Sequence, residues 1–287
     1  MGLHRFTRLV AAMTFFLLIA GGLVTSTDSG LSVPDWPLSY GTWFPPMVGG
    51  ILFEHGHRMI AAVVGLLMAI LAGWLWLKEP RRWVRRLGYA ALGAVFAQAV
   101  LGGLTVLLRL PPAVSVAHAC LGQLVFCVVV IVSLATSRTW QTPHAADFVD
   151  DPQLRRLCRL TTVVFAVQLA LGAVVRHSGR ALLFHIVGAV VIVMMLGRLI
   201  RRVRRDPQRF PSMRRVTDLM GLAVAGQILL GILVFVSHRQ VGVTTAHVAL
   251  GAVLLASACV LTVLACRVSV ATPVPRPQGR PAREVAA

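Results

Sequence analysis

Eight stretches of the chain, at 9–25, 59–77, 87–108, 113–135, 160–175, 181–197, 219–236 and 241–266, contain no Asp, Glu, Lys or Arg. An α-helix needs about 17 to 25 apolar residues to cross the hydrocarbon of a bilayer, so each stretch matches one crossing. Nothing in them alternates polar and apolar with period two over ten residues. Unpaired backbone groups are not tolerated in hydrocarbon, so the spans read as helices rather than barrel strands. The composition agrees, with 57% apolar residues against 13% charged and a mean hydropathy of +0.78. A water-soluble domain of this size does not carry such a balance. The expected class is an all-α polytopic membrane protein with eight transmembrane helices.

Orientation follows from the basic residues. Of the 28 Lys and Arg, 23 fall in the N-terminus, the loops near 78–86, 136–159 and 198–215, and the tail after Cys266. The opposite side keeps only Arg58, Arg109, Arg176, Arg180 and Arg239. The positive-inside rule therefore places both termini in the cytoplasm of a cell-membrane protein. The net charge of +18 reads as topology and contact with anionic lipid. No basic domain or aromatic stacking platform accompanies it, so nucleic acid is not an expected partner. His4, Arg5 and Arg8 precede the first run as they would in a signal peptide, but no Ala-x-Ala site precedes Asp28. The run is expected to be retained as a helix.

Internal repetition organises the spans into helical hairpins. The third span carries Gln98 and Gly102-Gly103, the fifth Gln168 and Gly172, the seventh Gln227 and Gly231; the first has Gly21-Gly22 and no Gln. Each is followed by a span with a histidine near its start: His57, His118, His185 and His247. A small residue lies four positions after each, Ala61, Gly122, Ala189 and Gly251. That spacing is one turn along the same helix face, so these residues are expected to leave room beside each imidazole. The glycines of the odd spans are expected to allow close helix approach. The division is then a four-helix bundle over 1–136, a cytoplasmic linker over 137–159, a second bundle over 160–267, and a disordered tail over 268–287. Pro143, Asp147, Asp150, Asp151 and Pro152 mark the linker.

Because the even spans all run from outside to inside, their histidines lie at one depth near the extracytoplasmic face. His57 with His118, and His185 with His247, can then clamp one haem iron each from both axial sides. One histidine near a helix end is commonly an interfacial hydrogen-bonding residue. Four at equivalent positions favour ligation, because ionisable groups inside membranes are costly and tend to be functional. Zinc suits paired histidines less well, since it seeks three or four converging ligands. His4 and His144 read as solvated on the cytoplasmic side, His177 and His238 as outside-loop residues, and His55 as facing away from His57. Cys120, Cys127, Cys158, Cys259 and Cys266 read as small apolar fillers.

The two halves differ in one place. The link from Ser26 to His55 is long and carries Asp28, Asp35, Trp36, Tyr40, Trp43 and Phe44, then Glu54 three residues before His57. Spacing of three puts Glu54 on the ligand's side of the helix. A capping role and an acid/base role both suit it; the expectation is acid/base or charge-stabilising work on the bound macrocycle.

The loop Asp28-Ser-Gly-Leu-Ser-Val-Pro-Asp-Trp-Pro-Leu-Ser-Tyr-Gly41, the Glu54-His-Gly-His57-Arg58 motif and the later His118, His185 and His247 together resemble the haem A synthase family over nearly the whole chain. The resemblance implies an oxidoreductase that converts haem O to haem A by oxidising the C8 methyl to a formyl group through successive hydroxylations. It implies His57 and His118 as axial ligands of substrate haem O, His185 and His247 as ligands of a resident haem b, and Glu54 as the essential carboxylate. Arg58, Arg176 and Arg180 become candidate propionate partners, with loop capping and topology as other roles. Haem O synthase becomes the expected substrate donor. Many relatives carry a cysteine pair in the first outer loop; this chain has no Cys between Ser26 and His55. The alternatives are a bis-His membrane cytochrome b that only transfers electrons, and a haem carrier without turnover. The electron acceptor, the oxygen source and the oligomeric state stay open, a homo-oligomer included.

Overall fold

The structure is a computed structural model and describes residues 2–141, 151–205 and 210–267. Among these residues there are eight helices long and apolar enough to cross a membrane. Helices α1 (Gly2–Ser26), α2 (Gly49–Lys78), α3 (Arg82–Leu107) and α4 (Pro112–Ala135) make up the first half. A single turn, α5 (Arg138–Gln141), follows, and then α6 (Pro152–Ser178), α7 (Leu182–Arg205), α8 (Pro211–Val236) and α9 (Val241–Ala265). No β-strand occurs among the described residues beyond one isolated bridge between Ser39 and Thr42. The eight spans expected from the sequence are all present.

Their boundaries extend past the apolar runs. Helix α2 begins ten residues before the run at 59–77, so Glu54, His55 and His57 lie within the helix rather than at the end of a loop. Helix α6 begins at Pro152, inside the stretch read as linker. Asp151 caps it by accepting a hydrogen bond from the Leu154 amide at 2.9 Å, and Pro152 occupies the first turn, where its missing N–H costs nothing. The two residues that looked like loop breakers are therefore a helix start. Pro143, His144, Asp147, Asp150 and the tail at 268–287 lie outside the described residues.

Consecutive helices pack side by side, and each half closes into a ring through α1 against α4 and α6 against α9. The halves meet through α1, α4, α6 and α9. Two clusters of buried apolar side chains hold the helices, one within the first half and one in the second half that also takes in Phe126 and Cys127 of α4. The first is built around Val10, Met68, Leu71, Leu75, Val84 and Val129. The second is built around Leu154, Leu196, Leu199, Val203, Met220 and Leu261. Both lie toward the ends that lead into the basic loops, away from the four histidines. Tight packing at that end holds the helices together there.

Two further histidine expectations change. His4 is not simply solvated: its Nδ1 sits 3.1 Å from the Ser133 carbonyl and 3.4 Å from the Thr136 hydroxyl, tying α1 to the end of α4. His177 belongs to the last turn of α6 rather than to a loop.

Candidate functional site

Each of the four histidines sits within the first three turns of its helix, on α2, α4, α7 and α9. All four are half-buried. The rings of His185 and His247 meet edge to face, with centroids 6.4 Å apart and planes inclined by 66°. A metal–imidazole nitrogen bond is about 2 Å long, so two imidazoles on opposite sides of one metal place their centroids about 6 Å apart. That pair therefore has the spacing one haem iron requires. His57 and His118 lie within electrostatic reach of each other in the other half.

The Nδ1 atoms of His57, His118, His185 and His247 are all buried without a hydrogen-bond partner. Buried polar atoms are normally satisfied, and an exception calls for an explanation. The same exception at four equivalent positions points to rings whose interactions are completed by a ligand.

The glycines of the helices that precede each histidine, α1, α3, α6 and α8, explain how the rings are held. A Cβ placed on Gly21 would lie 3.0 Å from Cε1 of His57, on Gly102 3.1 Å from His118, on Gly172 3.0 Å from His185 and on Gly231 3.2 Å from His247. Each imidazole thus turns its Cε1 edge to a glycine of the preceding odd-numbered span, where any side chain would push it. One turn back along the same face, Gln98, Gln168 and Gln227 donate to the carbonyls of His118, His185 and His247 at 2.8, 2.9 and 3.0 Å. This revises the role of the small residues after each histidine. Gly122 and Gly251 make space for the Gln98 and Gln227 amides, and Gly188 does so for Gln168. The room beside the imidazoles comes from the neighbouring helix. The Gln-x-x-x-Gly spacing was visible in the sequence as a repeat, and it was the signal for this arrangement. His57 alone has no such glutamine, because Leu17 stands four residues before Gly21.

Replacing Gly172 by alanine is expected to shift the His185 ring, at a cost of about 1 to 3 kcal/mol from overpacking. A Cβ on Gly73 meets nothing within 4 Å, so Gly73→Ala is expected to be neutral or mildly stabilising. Thermal unfolding of the two variants, followed with the visible absorption of the pigmented protein, checks the contrast.

His57 is held by the loop between α1 and α2 instead. Glu54 is 4% exposed; its Oε2 accepts from the Val33 amide and its Oε1 from Arg58, both at 2.7 Å. Arg58 also donates to the carbonyls of Asp35 at 2.8 Å and Leu38 at 2.9 Å. The His55 ring meets the Ser39 hydroxyl at 2.8 Å. The loop is thereby pinned to the start of α2 by three side chains within little more than one turn. Its Trp36 ring lies on α3 at Gly103, where a Cβ would come within 2.6 Å. The loop folds over the first half, and nothing comparable stands over the second among the described residues. Glu54 is thus buried near His57 with both oxygens engaged, and Arg58 spends its donors on the loop.

The tip of the loop has its own lock. Asp35 accepts from the Gly41 amide at 2.8 Å and the Tyr40 amide at 2.7 Å. The Gly41 hydrogen bond in particular holds the Asp35 carboxyl below its usual range. A depressed native pKa means the stabilisation is complete above the ordinary carboxylate value and is lost as pH falls through the lower native one. Tryptophan fluorescence from the loop is therefore expected to be flat between about pH 5 and 8 and to change only below about pH 4.

At the junction of the halves, Arg176 of α6 donates to the Ser26 hydroxyl at 2.7 Å and the Gly22 carbonyl at 3.4 Å. Ser26 in turn meets Thr245 of α9 at 3.1 Å. The chain of contacts runs from the residue beside Gly21, under His57, to the residue two before His247. Arg180 is exposed.

The arrangement defines a polytopic helical membrane protein with imidazole pairs gathered at one end of its bundle. The family model for COX15-CtaA, described as cytochrome oxidase assembly protein, matches residues 4–49 and 48–185, and the chain belongs to this family. Similar proteins include Heme A synthase of Lysinibacillus sphaericus, 29% identical over 170 residues, covering 58% of this chain and 55% of that protein. Heme A synthase of Symbiobacterium thermophilum is 29% identical over 177 residues, 60% of this chain and 58% of that protein. In both, the chain spans little more than half the length of the relative. Heme A synthase of Alkalihalophilus pseudofirmus is 24% identical over 300 residues, covering 93% of this chain and all of that protein.

Proposed function

We propose that this protein is a haem A synthase, an oxidoreductase that converts haem O to haem A by oxidising the C8 methyl to a formyl group through successive hydroxylations. The reading is supported by the family membership and by the names of the relatives. The observation that carries it is the inequality of the two histidine pairs. His185 and His247 stand at haem-iron spacing with no loop closing over them among the described residues, which suits a resident haem b. His57 and His118 lie beneath a loop that Glu54, His55 and Arg58 pin in place, which suits a substrate that must enter and leave.

In this reading His57 and His118 bind substrate haem O through its iron and fix the position of its reacting edge. The loop over 27–48 excludes water once it is seated, which strengthens each polar contact beneath it. Glu54 holds a carboxylate beside His57 and provides the acid/base or charge-stabilising group for the methyl oxidation. Arg176 and Arg180 neutralise propionates, while Arg58 organises the loop. His185 and His247 would hold a haem b, which would supply a one-electron carrier, and Arg176 links the helices between the two sites. The histidine end faces the extracytoplasmic side of the cell membrane, both termini lie in the cytoplasm, and haem O synthase supplies the substrate.

The test is co-expression with a haem O synthase, followed by pigment extraction and mass analysis. Haem A in the extract is the expected result. An extract holding haem O with neither haem A nor a hydroxylated intermediate contradicts the assignment.

A further inference from the structure

At the end of the molecule opposite the histidines, Gln153, Leu157, Arg198, Arg201, Arg202 and Arg205 line a cavity of about 300 Å³ between α6 and α7. The four arginines recur at helical spacing, so one face of the last two turns of α7 is a row of guanidinium groups. Nearby basic residues are paired: Arg81 with Glu79 at 2.7 Å and Arg204 with Asp218 at 2.9 Å. Here Arg202 pairs with Asp151 at 2.6 Å, and its Nε is buried without a partner. Arg198, Arg201 and Arg205 have no ion pair among the described residues. The cavity therefore gathers several positive charges against one carboxylate and is large enough for a small polar group.

The exposed surface of α6 and α7 on the histidine side of the cleft is apolar. Val190 and Met194 lie eight and four residues before Arg198 on the same face of α7, and they are 56% and 50% exposed. On α6, Leu160 and Val163 are 46% and 57% exposed. A ligand with a phosphate at one end and hydrocarbon at the other satisfies both parts at once.

We propose that this cleft is a specific site for one anionic phospholipid. Its phosphate is held by Arg198, Arg201, Arg202 and Arg205, and an acyl chain runs along the outer groove between α6 and α7. Basic pockets between transmembrane helices on the cytoplasmic side take headgroups of this kind. The site is remote from the histidines, and its occupancy is independent of the catalytic reading.

The test is native mass spectrometry of the detergent-purified chain titrated with phosphatidylglycerol, phosphatidylcholine or inorganic phosphate. One phosphatidylglycerol per chain is expected to be retained in preference to phosphatidylcholine, and millimolar inorganic phosphate is expected not to displace it. The Arg198→Gln, Arg201→Gln, Arg205→Gln triple variant is expected to bind it roughly 100-fold more weakly, about fivefold for each arginine removed. A triple variant elsewhere, Arg82→Gln, Arg85→Gln, Arg86→Gln, removes the same charge and is expected to bind as the parent does. If the first triple variant fails to fold, Arg201→Gln alone carries the test with a loss of about fivefold. Equal retention of the two lipids, equal losses in both triple variants, or displacement by inorganic phosphate overturns the proposal. A change in oligomeric state with lipid retention intact also overturns it, and assigns the groove to a second copy of the chain.

Discussion

His185→Ala is expected to strip the resident haem from the second half while leaving the helices assembled. The His185 and His247 rings are 6.4 Å apart, so an iron between them depends on both, and alanine removes one of its two protein ligands. Loss of a partner that merely orients a ligand costs about 10- to 100-fold in metal affinity, and loss of the ligand itself is expected to exceed that. The fold should survive, because the buried clusters of the second half, around Leu154, Leu196, Leu199 and Leu261, lie at the other end of the bundle. Haem per chain in protein saturated with haem O, measured by pyridine haemochrome, is expected to fall by half. His238→Asn, in the turn after α8, removes a histidine outside the pairs and is expected to leave haem content unchanged. Parental haem content in His185→Ala removes that residue from the ligand set.

Glu54 carries the second large effect. Acid/base groups typically contribute about 10² to 10⁴ in rate, so Glu54→Gln and Glu54→Ala are both expected to abolish haem A formation at that scale. Haem O or a hydroxylated intermediate should accumulate, while the haem of the second half is retained. The pair of variants separates chemistry from loop anchoring. The structure gives Glu54 an anchoring duty, through hydrogen bonds to the Val33 amide and Arg58, and a glutamine oxygen can still accept from Val33. A role confined to anchoring therefore predicts near-normal conversion in Glu54→Gln and loss only in Glu54→Ala. Normal haem A yield from either variant contradicts a catalytic Glu54.

The eight spans were legible from uncharged runs alone, because a bilayer demands uninterrupted apolar length. Their ends were less so. A search for uncharged residues stops at the first arginine or glutamate, although helices continue into the headgroup region with such residues on their flanks. Helix α2 thus starts at Gly49, with Glu54 and Arg58 inside it. Asp151-Pro152 was readable as a cap and first-turn proline, but its position after a polar stretch suggested a linker instead. The four histidines and their repeat were plain in the sequence. The function of Gln98, Gln168 and Gln227 was not, since their bonds to the next histidine carbonyl span 17 to 20 residues. The contact of His4 with Ser133 and Thr136 spans 129 and 132 residues, beyond any local pattern. The loop locks of Arg58 on Asp35 and of His55 on Ser39 likewise join segments that periodicity treats separately.

The account rests on two imidazole pairs, each gripping one porphyrin. Low-temperature electron paramagnetic resonance of the purified pigmented protein, with iron counted per chain, tests this most directly. The expected spectrum is low-spin bis-imidazole iron from two haems per chain, with His118→Ala abolishing the bis-imidazole signal of one site and His247→Ala that of the other. Full retention of both signals in either variant, or a single haem in the parent protein saturated with haem O, contradicts the account.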